Sequence, residues 1–96
     1  MKNKVFASFE NPYNDHCVDI FERPDGSFGY EEFRRDVEDR GAWQSLGRYS
    51  QQVFDSQPKA LAAANGSVTW LAQSETWQRY VDAEFVSRGA VRTAPR

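Results

Sequence analysis

The segment Arg23-Pro24-Asp25-Gly26-Ser27 constrains this chain more than any other, because it is a tight reversal with strand-forming residues on both sides. Proline presets the first turn dihedral, aspartate tolerates the next, and glycine supplies the left-handed position that closes a three-residue hairpin loop. The stretch from Cys17 to Arg23 is rich in β-branched and aromatic side chains, and Ser27 to Arg35 reads as the returning strand. Pairing Arg23 with Ser27 sets the register. It places Glu22 opposite Phe28, Ile20 opposite Tyr30 and Val18 opposite Glu32, and on the other face Phe21 opposite Gly29, Asp19 opposite Glu31 and Cys17 opposite Phe33. The face bearing Val18, Ile20, Phe28 and Tyr30 is expected to pack inward, and the face bearing Cys17, Phe21 and Phe33 among charges to be the more open one.

The same residues can be aligned with the second half of a calcium-binding EF-hand loop. Asp25, Gly26 and Glu32 fall at its fifth, sixth and twelfth positions. The first and third positions then fall on Phe21 and Arg23. One offers no oxygen and the other brings a positive charge to the cation's place, so no metal site and no cofactor is expected here.

Around the hairpin the signals are weaker. Residues 1–14 read as an N-terminal extension in which Val5, Phe6 and Phe9 form a short strand or helical turn, followed by a turn at Asn11-Pro12-Tyr13-Asn14-Asp15. Asp36 to Gly41 is a charged loop. Trp43 to Phe54 reads as a further strand, with Gly47 marking a bend or bulge. Ser56-Gln57-Pro58 signals a helix start, and Leu61, Ala64, Val68 and Leu71 recur at helical spacing through residue 72. Ser74 caps a second helix over 75–86, with Trp77, Tyr80, Val81 and Phe85 on one stripe. Residues 87–96 read as a flexible basic tail. The expected fold is therefore α+β: a single domain over 15–86, in β-β-β-α-α order. A three-stranded antiparallel sheet has one face covered by the first helix, and a second helix lies at the C-terminal end.

Composition narrows the function classes. Ninety-six residues make one domain, and the net charge of −2 argues against nucleic acid or an anionic membrane as a partner. Three Trp, four Tyr and seven Phe supply large area for a small core. A single Cys forms no internal disulfide, and no apolar run approaches the roughly 20 residues that span a bilayer, so a cytoplasmic location is expected.

No set of reacting groups stands out. Asp19 and Glu31 oppose each other, but as solvated charges beside Arg23 and Arg35. His16 and Cys17 are neighbours on a strand and point to opposite faces, so they do not form a dyad. Two surfaces remain. The stripe of Trp77, Tyr80 and Phe85 either completes the core or docks on another protein or a second copy of the chain. Arg34, Arg35, Arg48 and Tyr49 form a basic aromatic patch of the kind that holds single-stranded nucleic acid, although Asp36, Glu38 and Asp39 offset its field. The C-terminal Arg88, Arg92 and Arg96 are a lesser basic feature. The expectation is a non-catalytic protein-interaction module rather than an enzyme, with a weak single-stranded nucleic-acid binder as the alternative.

Overall fold

The structure is a computed structural model that describes residues 2–36 and 41–87, with backbone alone for 84–87. The predicted tail beyond Ser87, the loop acids Glu38 and Asp39, and the Phe85 side chain lie outside the described residues.

The chain forms an α+β fold with one antiparallel sheet and two helices. The sheet has four strands in simple sequential order: β1 (Lys4–Glu10), β2 (His16–Glu22), β3 (Phe28–Arg34) and β4 (Gln44–Ser45). Helices α1 (Gln57–Ser67) and α2 (Glu75–Ser87) follow, separated by a 3₁₀ turn at Leu71–Gln73.

The β2–β3 hairpin is set by its turn. Gly26 holds φ at +88°, Asp25 Oδ1 accepts from the Ser27 N–H at 2.9 Å and its hydroxyl at 2.7 Å, and the register runs from Glu22↔Phe28 to His16↔Arg34 with the six expected pairs in place. Val18, Ile20 and Tyr30 are fully buried on the inner face. The other face carries no helix among the described residues, yet it is less open than the sequence suggests. Cys17 and Phe21 are buried there, and the Arg23 guanidinium lies 5.1 Å over the Phe21 ring.

Three expectations are corrected. The sheet has four strands, because Lys4–Glu10 pairs along β2 as its edge strand. A bulge between Val5 and Ala7 turns Phe6 inward onto Phe28 and breaks the alternation that would have revealed the strand. The stretch from Trp43 to Phe54 is mostly loop. It pairs with β3 as a strand only at β4 and at a single bridge from Phe54 to Phe28, and Gly47 bends it at φ +66°. The first helix runs through Asn65-Gly66 but stops at Ser67 rather than reaching 72, since Asn65, Gly66 and the β-branched Val68 and Thr69 all disfavour another turn.

α1 begins where the sequence places it, with Ser56 Oγ accepting from the Lys59 N–H and Pro58 in the first turn. It lays Ala60 and Ala64 on Val18, Ile20 and Tyr30; these small side chains allow close approach, and the Tyr30 hydroxyl donates to Ser67 Oγ at 3.0 Å. Val68 and Leu71 extend the same core, and α2 completes it by packing Trp77 on Phe9.

Two consecutive glutamates on β3 organise what surrounds the sheet. Glu31 is buried and directs both carboxylate oxygens at the main chain. Oε1 accepts from the N–H groups of Tyr49 and Ser50, at 2.9 and 2.8 Å, and Oε2 from those of Glu32 and Arg48, at 2.8 and 3.2 Å. Arg23 serves the same loop from its other pole, donating to the carbonyls of Ser50 and Gln52 and to that of Phe28. It reaches them by passing over Gly29, where a Cβ would stand 2.6 Å from Arg23 Nη2. Glu32 faces inward, and its Oε2 accepts from His16 Nδ1 at 2.8 Å and Trp70 Nε1 at 2.9 Å.

Candidate interaction groove

β1 is the outermost strand of the sheet, and among the described residues no strand pairs with its outer edge. α2 stands over this strand. Trp77 and Tyr80 meet the Phe9 ring edge-on, with centroids 5.1 and 5.3 Å away. Between strand edge and helix run two adjoining hollows that share Ser8 and Thr76. The larger, about 690 Å³, lies at the Glu10 end and is lined by Glu10, Asn11, Pro12 and Glu75 among others. The smaller, about 360 Å³, is lined by Phe6, Phe9, Arg79 and Tyr80.

The main chain at this edge is oriented for hydrogen bonding. The Asn11 N–H donates to the His16 carbonyl at 3.0 Å, towards β2. Alternation along an antiparallel ladder then turns the N–H and C=O groups of Ser8 and Glu10 outward. Ser74 Oγ confirms the direction by donating to the Glu10 carbonyl from outside at 2.8 Å. The same hydroxyl oxygen accepts from the Trp77 N–H at 3.4 Å, so one serine both starts α2 and fastens it to β1.

The segments that form this edge carry three exposed apolar side chains. Tyr13, 79% exposed, sits on the turn after β1; Val5, 51% exposed, lies near the start of β1; Val81, 39% exposed, is on α2. The other large apolar side chain exposed to this degree among the described residues is Val53, in the loop before α1.

The sequence-derived partner stripe is thus divided. Trp77 is buried on Phe9, Tyr80 is half-buried beside it with an edge on the groove, and Phe85 is placed on α2 by its backbone only. The basic aromatic patch is dispersed. Arg34 is exposed at the end of β3, whereas Arg35 lies 4.4 Å over the Trp43 ring and donates to the Asn14 carbonyl. Arg48 stands 3.9 Å from Glu32. The Tyr49 ring stacks on Tyr30 at 4.9 Å, which commits its face to the core.

The other candidate reacting groups are held by neighbours or masked by burial. Asp19 accepts from the Ser8 hydroxyl at 2.7 Å, while Glu31, opposite it in register, turns to the 48–50 amides. Burial works against a charged Glu31, but the four N–H donors outweigh it and hold the carboxyl below its ordinary value. Burial, reinforced by Asp19 and Glu10, pushes the Cys17 thiol up to about 12, so it is no nucleophile at neutral pH. Asp25 is held by Ser27, and no group of three or more His, Cys, Asp or Glu among the described residues could hold a metal ion. No described helix is long and apolar enough to cross a membrane.

Sequence reasoning missed Ser8, Glu10, Tyr13, Glu75 and Thr76, because the groove exists only once β1 joins the sheet and α2 crosses it. The proline turn at Asn11-Pro12-Tyr13 was the available signal, since it exposes an aromatic at a reversal. Comparison with protein-family models, with curated proteins and with solved structures finds no match.

Proposed function

We propose that this protein is a non-catalytic protein-interaction module that engages its partner along the β1–α2 edge. The observation that carries the reading is an outward-facing strand edge with a groove beside it, on segments that also bear three of the four prominently exposed apolar side chains. An exposed tyrosine is a frequent energetic anchor of interaction sites. A lone, buried cysteine suits a reducing compartment, and the cytoplasm is the proposed location.

The test uses exposed positions whose loss leaves the core intact. Wild-type chain and a Tyr13→Ala/Val81→Ser double variant, matched in thermal stability, are immobilised and challenged with the same lysate. Proteins held by the wild type and released by the variant support the reading. Identical retention by both overturns it.

A further inference from the structure

We infer that the occupant of the groove is an extended polypeptide segment that adds to β1 as a fifth, antiparallel strand centred on Ser8, with a cationic residue at its N-terminal end and an acidic one at its C-terminal end. This inference rests on the interaction-module reading and specifies its ligand.

The main chain sets the centre of the pairing. Ser8 turns its N–H and C=O outward together, which is the geometry that exchanges two hydrogen bonds with one residue of an antiparallel partner. The ladder is bounded on both sides. Towards Glu10 it ends where Ser74 Oγ occupies the Glu10 carbonyl, leaving only the N–H. Towards Lys4 it meets the bulge at Phe6, which interrupts regular pairing. The segment recognised is therefore short, and its alternate side chains fall into the hollows on either side of Ser8.

The size of α2 decides between a peptide and a second copy of the chain. Symmetric pairing of two β1 strands would place them about 5 Å apart, whereas packed helices need axes roughly 8–10 Å apart. Because α2 stands over β1 itself, through Phe9, Trp77 and Tyr80, two copies would bring their helices into collision. A single short strand centred on Ser8 avoids this collision and stops short of the Ser74 contact on Glu10.

Charge sets the direction. Glu10 and Glu75 lie at one end of the groove, and Lys4 and Arg79 towards the other, with Arg79 reaching Glu75 at 3.7 Å only as an exposed pair within the helix. A segment antiparallel to β1 enters from the Glu10 end and leaves towards the Lys4 end. A cation first and an acid last then match both ends; a parallel segment would need the reverse order.

The experiment is a titration of isotope-labelled protein, followed through its amide resonances, with a capped heptapeptide of alternating threonine and valine flanked by an N-terminal arginine and a C-terminal glutamate. Two further probes are the same peptide with its end charges exchanged and one N-methylated at the central residue. The expected result is that the amides of Ser8, Glu10, Thr76 and Arg79 shift. Exchange of charges is expected to weaken binding about fivefold, the scale of two exposed ion pairs. N-methylation is expected to weaken it about tenfold, the scale of a lost hydrogen bond. Shifts confined elsewhere, no shifts, or equal affinity for all three peptides overturn the inference. Ser8 resonances that move on dilution without peptide also overturn it, by showing a second copy at the edge. If Tyr13→Ala/Val81→Ser releases a partner while no peptide touches Ser8, strand addition fails and the interaction reading stands. If the peptides bind as expected but the double variant retains every captured protein, the wider reading fails instead.

Discussion

Glu31 and Glu32 are adjacent, equally buried and chemically identical, yet the fold uses them in opposite ways. Glu31 divides four main-chain N–H donors between its two oxygens and thereby shapes one loop. Glu32 concentrates His16 and Trp70 on a single oxygen and joins β2, β3 and the segment after α1. The other Glu32 oxygen faces Arg48 at the longer distance of 3.9 Å. Burial alone does not define what a carboxylate does; the distribution of donors over its two oxygens does.

An isosteric amide separates the two roles. In Glu31→Gln one oxygen becomes an NH₂ group facing two main-chain donors in either orientation, so the loop loses half its anchor and gains a repulsive contact. The expected loss is about 3 kcal/mol, read from denaturant midpoints. Gly29→Ala attacks the same loop from its other pole. The new Cβ displaces Arg23 from the Ser50 and Gln52 carbonyls, for about 2 kcal/mol by the same assay, and retention of wild-type stability would show that Arg23 is dispensable. Glu32→Gln should cost only about 1 kcal/mol, since one oxygen still serves both donors. A loss equal to that of Glu31→Gln would erase the distinction.

Acid sharpens the contrast further. The folded-state pKa of Glu31 is depressed, so its contribution is fully present above its unfolded value near 4.5 and is lost as pH falls through the folded value. Stability measured from pH 7 down to acid should therefore fall less steeply in Glu31→Gln than in the wild type, while Glu32→Gln retains the Glu31 component of the slope. The smallest effect concerns Cys17, on the same sheet face as Glu31 but without amide donors. With the thiol near 12, iodoacetamide at pH 8 should leave the native protein unlabelled and modify it only once unfolded. Prompt labelling of the native chain would mean that the face is open.

The hairpin was legible because its information is local. Pro24, Asp25 and Gly26 set the turn, the turn sets the register, and the period of two then assigns Val18, Ile20 and Tyr30 to the core. Both helix starts were legible for the same reason, through Ser56 and Ser74. The loop from Gly47 to Val53 was not, because Glu31 and Arg23 hold it through main-chain groups, and any sequence supplies those. β1 was obscured by one extra residue at Phe6. The groove was illegible for a related reason: Ser8 and Thr76 meet across the tertiary structure, and neither is unusual where it stands in the chain.

The sequential strand order has a consequence during synthesis. Each strand of β1, β2 and β3 meets its neighbour as soon as both have emerged, but the helices that cover their apolar side are encoded later, α1 from Gln57 and α2 from Glu75. At roughly 5–20 residues per second the nascent sheet presents Phe9, Val18, Ile20 and Tyr30 uncovered to solvent for some seconds. A ribosome paused between these two segments would display a greasy, half-roofed intermediate, the form of this protein that chaperones are best suited to hold.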